Sequence, residues 1–244
     1  MNTLKVNGIG KHQRGLTLIE LMIGLTLGLL MTGLIIQIFL SNRQTHRFGE
    51  AMSLLQEQGR FAMKVMSDDV QLAGYRITIA GANPVQNLTS ALPNRLQGAS
   101  NTGVNNSDSF TVRYESANPR DCTGAVVASP VINTYSVATV AGQPALTCNG
   151  APLLDGVEGM QVLYGEDTNA DGAANRYVSA IPANVLNVVS MRISILLSGT
   201  ESVSPDTASR VYTLLDWSYP PFNDYRLRRV YTTTVQLRNS GLAS

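Results

Sequence analysis

The sequence predicts an α+β fold, in which one long N-terminal helix packs against an antiparallel β-sheet domain. Two observations support this prediction: an apolar run continues directly into an amphipathic helical pattern, and alternating strand patterns follow it. The chain has 244 residues, 44% of them hydrophobic, which is enough for a membrane segment and a domain with its own core. A net charge of +1 with 14% charged residues excludes the basic surface typical of nucleic-acid-binding proteins.

The N-terminal segment changes character after Gly15. Residues 1–15 are polar and basic, whereas residues 16–40 are predominantly apolar. At about 1.5 Å per residue, this run spans the hydrocarbon core of a bilayer, roughly 30 Å thick. The basic side should stay cytoplasmic, so we expect the rest of the chain to cross the membrane. An ordinary signal peptide has a shorter apolar region and a small-residue cleavage site, and neither occurs here.

Glu20 is the one charged residue inside the apolar run. A carboxylate at mid-membrane costs about 2.5–3.5 kcal/mol on insertion scales, and less near the interface. Two interpretations are open: a charge tolerated at the membrane edge, or a group whose partner comes from another molecule.

Residues 41–74 continue as an amphipathic helix, with Gly74 as its expected end. Its apolar residues recur at steps of three and four, namely Leu54, Leu55, Phe61, Ala62, Val65, Met66 and Leu72. This apolar face should pack against the sheet. The adjacent acids Asp68 and Asp69 are interpreted as solvated charges.

The remaining chain reads as an irregular connection over residues 77–108 followed by strands. Strands are expected at 110–114, 126–137, 160–164, 187–198, 210–215 and 231–237. The clearest is 187–198, where apolar residues alternate with Ser190, Arg192 and Ser194.

The two cysteines, Cys122 and Cys148, can form one disulfide if the domain lies outside the cytoplasm. Such a bridge would stabilise the fold by about 3 kcal/mol in the chain-entropy model. The alternative is a pair of buried thiols.

An acidic loop matches the first half of a calcium-binding loop, with possible oxygen ligands at Asp167, Asn169, Asp171 and Asn175. Val178 occupies the twelfth position, where such a loop needs a bidentate glutamate. The preferred alternative is a hairpin turn, because Asp-Gly between strands is a strong turn signal.

Catalysis is not expected. The chain has two histidines, His12 and His46, and both precede the globular domain. A nucleophilic triad therefore has no histidine base there, a zinc site lacks ligands, and no phosphate-binding glycine loop occurs. We predict neither enzyme activity nor a cofactor, apart from the calcium alternative.

Residues 14–22, Arg-Gly-Leu-Thr-Leu-Ile-Glu-Leu-Met, resemble the leader of type IV pilins and pseudopilins. The resemblance implies that a membrane prepilin peptidase cuts after Gly15 and methylates the amine of Leu16. Glu20 then occupies the fifth mature position, where the family's glutamate pairs with the amine of a neighbouring subunit. The family's first mature residue is usually Phe, and here it is Leu.

Two segments narrow the resemblance. Residues 153–165 are similar to a segment shared by PilW minor pilins and J-type minor pseudopilins, and residues 228–239 are similar to the PilW C-terminus. The implied fold is pilin-like. Its expected parts are a cleaved leader (1–15), a transmembrane half-helix (16–40), an amphipathic half-helix (41–74) and a β-rich globular domain (75–244).

The implied function is that of a minor pilin, which primes assembly of the type IV pilus near its tip. Expected partners are other minor pilins, the major pilin, the prepilin peptidase, a PilY-type tip adhesin and inner-membrane lipid, with no nucleic acid. The domain would lie in the periplasm before incorporation into the cell-surface pilus. Alternatives are a minor pseudopilin of type II secretion, a calcium-binding or adhesive tip module, and an uncleaved single-pass protein.

Overall fold

The structure is a computed structural model that describes residues 15–77, 95–204, 207 and 209–239. It divides into two compact units, Met1–Arg47 and Phe48–Ser244, and helix α1 (Leu18–Leu72) belongs to both. In the first unit α1 is apolar, and it is long and hydrophobic enough to cross a membrane, with a mean hydropathy of 2.2 over its best window. Most of the predicted leader lies outside the described residues.

In the second unit, α1 has one buried face. Its buried residues recur at steps of three and four, which places them along one side of a helix: Leu55, Gly59, Ala62, Met66 and Val70. The helix ends at Leu72, and Gly74 follows with a φ of +81°. This left-handed conformation favours glycine, so the predicted helix end is confirmed.

The second unit contains two main antiparallel sheets and a small hairpin. The first sheet has the order β1-β2-β3-β4-β5, the second has the order β11-β8-β6-β7, and the hairpin pairs β9 with β10. The strand bounds are β1 Leu96–Ala99, β2 Ser109–Tyr114, β3 Val131–Val140, β4 Gln143–Cys148, β5 Ala151–Asp155, β6 Val157–Glu166, β7 Arg176–Val178, β8 Val188–Ser202, β9 Tyr212–Leu214, β10 Trp217–Tyr219 and β11 Arg226–Gln236.

The chain passes from the first sheet to the second at Gly156. Its φ is +80°, and a Cβ there would lie 2.5 Å from the carbonyl oxygen of Ser198. Only glycine allows this turn, because a side chain would collide with the β8 backbone. Gly156 thereby allows β6 to follow β5 directly while the chain changes sheets.

The core lies between α1 and the sheets. From β8 it receives Met191, Ile193, Ile195 and Leu197, all fully buried, so the predicted apolar face of this strand is confirmed. The opposite face of β8 is covered in part by the β9–β10 hairpin, whose Leu214 and Tyr219 pack on Leu196. Because β8 also pairs with β11 on one edge and with β6 on the other, it is an internal strand of the second sheet.

Two strand expectations needed correction. The strand predicted from residue 126 starts at Val131, because the preceding residues form the disulfide loop, and Val126 makes only an isolated bridge to Arg120. The predicted irregular connection contains β1, which pairs with β2. Residues 78–94 of that connection lie outside the described residues.

Candidate functional site

The start of α1 is organised by a reciprocal contact between Thr17 and Glu20. The Glu20 Oε2 accepts hydrogen bonds from the Thr17 backbone N–H and hydroxyl, each at 2.9 Å. In return, the Glu20 N–H donates to the Thr17 Oγ1 at 3.3 Å. This is a capping box, which supplies partners to backbone groups that a helix N-terminus leaves unbonded. Glu20 therefore has an intramolecular role that was not predicted, although Thr-x-x-Glu in the sequence signals it.

The capping contact leaves part of the carboxylate available. Both bonds from Thr17 end on Oε2, and no donor from the described residues reaches Oε1. Glu20 and Leu16 are both exposed, and Leu16 keeps 81% of its accessible surface. The capping box and an ion pair with another subunit's amine are thus compatible.

The predicted cleavage point precedes the helix. Gly15 and Leu16 are exposed and lie before Leu18, the first helical residue. No atom lies within 4 Å of the position that a Gly15 Cβ would take. A peptidase needs an accessible segment outside regular secondary structure, and Gly15 and Leu16 have both properties.

Two threonines in the span after Glu20 bond their hydroxyls within the helix. The Thr26 hydroxyl donates to the Ile23 carbonyl at 2.9 Å, and the Thr32 hydroxyl donates to the Gly28 carbonyl at 2.8 Å. Because each hydroxyl bonds within the helix, these threonines do not prevent the segment from entering lipid.

The disulfide in the globular unit joins Cys122 to Cys148, which lie 26 positions apart in sequence and have their Cα atoms 6.3 Å apart. Cys148 is fully buried on β4, and the bridge ties the preceding loop to that strand. Disulfides persist in oxidising compartments, which agrees with a domain outside the cytoplasm.

Asp69 is not a solvated charge, so this expectation was wrong. Its carboxylate accepts hydrogen bonds from the Tyr135 hydroxyl and the Asn133 amide, both at 2.6 Å, and from the Tyr114 hydroxyl at 3.2 Å. Asp68 does behave as predicted and pairs with Lys64 on the exposed face at 2.8 Å. Consecutive helical residues point about 100° apart, so one acid faces solvent and the next faces the first sheet.

Burial dominates the ionisation of Asp69. It raises the pKa of this carboxyl above its ordinary value, although the hydrogen bonds from Tyr135, Asn133 and Tyr114 act in the opposite direction. The same burial, together with the nearby Asp69 charge, raises the pKa of Tyr135 and Tyr114. The cluster links α1 to β2 and β3 through hydrogen bonds.

The C-terminal segment is held by Arg95 and Asn239. The Asn239 side chain donates to the carbonyls of Gln71 and Ala73 at 3.3 and 3.5 Å, and so caps the end of α1. The Asn239 carbonyl accepts a bond from the fully buried Arg95, which also donates to Val188 at 3.0 Å. Burial lowers the pKa of Arg95 to about 10, so its guanidinium stays charged at neutral pH. Sequence patterns missed this contact, because it joins residues 144 positions apart.

The two segments that carry the family resemblance meet in the structure. Residues 153–165 contain most of β6, residues 228–239 contain most of β11, and both strands pair with β8. Arg228 joins them directly, with its Nε 2.6 Å from Glu158 Oε2 and its Nη1 2.6 Å from Asp224 Oδ1. The Arg228 side chain keeps only 1% of its accessible surface. Burial opposes its charge, but the two carboxylates outweigh burial and raise its pKa.

The acidic loop connects β6 to β7 as a hairpin. Asp167 accepts N–H bonds from Asn169, Ala170 and Gly172 at 3.0, 2.7 and 2.7 Å. Although burial acts in the other direction, these bonds lower the pKa of Asp167. The hairpin agrees with the preferred turn interpretation.

The other proposed calcium ligands also bond within the loop. The Asn175 Oδ1 accepts from the Thr168 N–H at 2.7 Å, and the Asn169 amide donates to Asp171 at 3.0 Å. Within the described residues, no group of three or more His, Cys, Asp or Glu is placed to hold a metal ion. Calcium binding stays a prediction, and titration calorimetry with millimolar calcium would test it.

This chain resembles a known sequence motif and a solved protein structure. A model of the prokaryotic N-terminal methylation motif matches residues 10–36. A type IV-like pilin from Thermus thermophilus is similar in structure, with 18% sequence identity, a TM-score of 0.44, and coverage of 79% of this chain and 98% of that one. No curated protein matches this chain in sequence.

The family model of the type IV pilus-assembly protein W matches residues 103–239, which is more than half of the 244 residues. The matched region runs from just before β2 to the last described residue, and it includes both the disulfide and the Arg228 cluster. The chain therefore belongs to the PilW family of type IV pilus-assembly proteins.

Proposed function

We propose that this protein is a structural minor pilin that primes type IV pilus assembly and lies near the pilus tip. The family match over residues 103–239 carries the proposal, because it relates the globular unit to pilus-assembly proteins. The methylation motif supports it independently, since it relates the N-terminal segment to processed, membrane-anchored subunits.

The mature N-terminus would begin at Leu16. After cleavage behind Gly15, the new amine would be methylated and would lie four residues before Glu20. Thr17 holds the Glu20 carboxylate through Oε2, and Oε1 then accepts the amine of a neighbouring subunit. Such an ion pair is stronger in a low-dielectric environment than in water, so it sets the axial position of one subunit against the next.

The proposed location follows from the N-terminal charges and the disulfide. The basic leader stays in the cytoplasm, α1 is anchored in the inner membrane, and the disulfide-bonded unit faces the periplasm until the pilus incorporates it. The proposed partners are the prepilin peptidase, other minor pilins, the major pilin and a PilY-type tip adhesin. The proposal includes no catalytic step.

Mass spectrometry of the mature N-terminus tests the first part of the proposal. We expect a chain that begins with N-methylated Leu16. An intact Met1 would contradict every pilin interpretation, because an uncleaved leader leaves no free amine at Leu16.

Gene deletion distinguishes the two filament systems. A minor pilin of the type IV pilus predicts loss of pili and of twitching motility, both restored by the complementing gene. Loss of protein secretion with intact pili would instead identify a minor pseudopilin of a type II secretion system.

Substitutions at Thr17 and Glu20 test the proposed contact. Glu20→Ala should remove the ion pair and reduce pilus number. Thr17→Val should have a smaller effect, because it removes the two hydrogen bonds of the Thr17 hydroxyl but leaves the bond from the Thr17 backbone N–H to Glu20. Thr32→Val is a matched control, since that hydroxyl also bonds within α1 and lies outside the site. Wild-type pilus numbers in the Glu20→Ala strain would contradict the proposed role of Glu20.

A further inference from the structure

We propose that a groove between β5 and β8 binds an extended segment of a neighbouring pilin subunit as an added β-strand. The proposal rests on the proposed function, because it identifies the neighbour as another pilin. The groove has a volume of about 520 Å³ and lies within the second unit.

One wall of the groove is an open strand edge. β8 pairs with β6 only as far as Leu197, which lies opposite Val157. On its other edge, β8 continues beside β11 as far as Ser202, opposite Arg226. Over residues 199–202, no strand in the described part of the chain pairs with the edge of β8 that faced β6. Such an edge presents backbone N–H and C=O groups to any extended chain placed beside it.

The opposite wall is formed by side chains of β5. Leu153 and Leu154 are partly buried there, while Pro152 is exposed. Proline cannot donate to a strand ladder, so it weakens the edge of β5 as a pairing partner. An incoming strand would therefore bond to β8, and β5 would supply an apolar surface for its side chains.

The charges of the groove indicate what it can accept. Its lining includes one cation, Arg226, and one anion, Asp155. Arg226 reaches the Gln143 side chain on the far side at 3.4 Å. With one charge of each sign, the lining favours an uncharged extended backbone over a strongly acidic or basic ligand.

The position of the groove suits contact between subunits. A Cβ on Gly199 would lie 4.0 Å from the Leu55 side chain, so the groove is close to the part of α1 near the start of the second unit. The surrounding residues Thr200, Glu201 and Ser202 are exposed. Another subunit can therefore reach this edge without unfolding any described element.

Site-specific photo-crosslinking in piliated cells tests the inference on the full-length chain. We would place p-benzoylphenylalanine at Glu201, which is exposed next to the groove but does not line it, irradiate the cells and identify the product by mass spectrometry. Thr139 is a control position, because it is also exposed in a strand and does not line the groove. We expect a product with another pilin from Glu201, joined through an extended segment, and no such product from Thr139.

Thr200→Trp provides a second readout by filling the groove. We expect recovery of the partner pilin and pilus number to fall roughly tenfold, as the loss of about two backbone hydrogen bonds implies. Thr139→Trp should change neither quantity. Chain abundance and the Cys122–Cys148 disulfide, checked on non-reducing gels, show whether each variant folds.

The inference would be overturned if the Glu201 product contained a second copy of this chain or a protein that is not a pilin, or if no product formed at all. Normal piliation in the Thr200→Trp strain would also overturn it, provided that gene deletion abolishes pili. If gene deletion itself leaves pili intact, the proposed function fails, and this outcome is distinguishable from failure of the groove alone.

Discussion

Gly59 is a point where α1 approaches the second sheet so closely that a single methyl group should disrupt the packing. A Cβ at this position would overlap the Tyr231 ring and lie 2.6 Å from its Cε1. The ring cannot move away freely, because the Tyr231 hydroxyl donates to the Leu55 carbonyl at 2.9 Å. We therefore expect Gly59→Ala to separate α1 from β11 locally and to break this hydrogen bond.

Three contributions determine the size of the effect. Overpacking a filled core costs about 1–3 kcal/mol, and loss of the hydroxyl bond costs about 1 kcal/mol. Replacing glycine by alanine inside a helix gains about 1 kcal/mol. Gly59→Ala should thus lower the free energy of unfolding by about 1–3 kcal/mol.

Gly49→Ala is the matched control on the same helix. No atom lies within 4 Å of its added Cβ, so only the helix-propensity gain of about 1 kcal/mol remains. Urea unfolding in detergent, followed by the fluorescence of the single tryptophan Trp217, measures both variants. Both substitutions gain helix propensity and differ only in how closely the added methyl group is packed. The reasoning is therefore refuted if Gly59→Ala is as stable as Gly49→Ala.

Three further perturbations test other contacts. Because the folded pKa of Asp69 is raised above 3.8, its contribution to stability is complete below the unfolded pKa and is lost as pH rises through the folded pKa. The stability advantage of the wild type over Asp69→Asn should therefore shrink as pH rises above about 4 in urea titrations, and an advantage that grows contradicts the assignment. Glu158→Gln leaves the buried Arg228 with one carboxylate fewer and should cost about 3 kcal/mol in the same assay, whereas an unchanged midpoint argues against a buried pair. Replacing Cys122 and Cys148 together by serine should lower the free energy of unfolding by about 3 kcal/mol. A reductant should lower the stability of the wild type by the same amount, and in the reductant the double substitution should cause no further loss.

Local sequence patterns were sufficient to predict the helices and strands whose periodicity depends on residues close together in sequence. The apolar run and the spacing of Leu55, Ala62 and Met66 predicted α1, because helical periodicity depends on residues three and four apart. Alternation predicted β2 and the inner face of β8 for a similar reason. The capping contact of Thr17 with Glu20 was also within reach of sequence reasoning, since it spans a single turn.

Contacts between distant segments required the tertiary structure. Asp68 and Asp69 are adjacent and chemically identical, yet only the position of the first sheet determines that Asp69 is half-buried and hydrogen-bonded to Tyr135. Glu158 and Arg228 are 70 positions apart, and the pairing of β6 and β11 with β8 brings them together. The same pairing leaves the end of β8 open, which no local pattern indicates.

The sequence by itself determined that this protein begins with a prepilin-like segment, an apolar helix and a carboxylate at Glu20, because these features lie within a few turns of one another. The tertiary structure alone decided which polar side chains are buried, which strand edges stay open and how the C-terminal Asn239 caps α1. The physical reason is that burial and strand register depend on which distant segments pack together, and the order of residues along one element does not specify that packing.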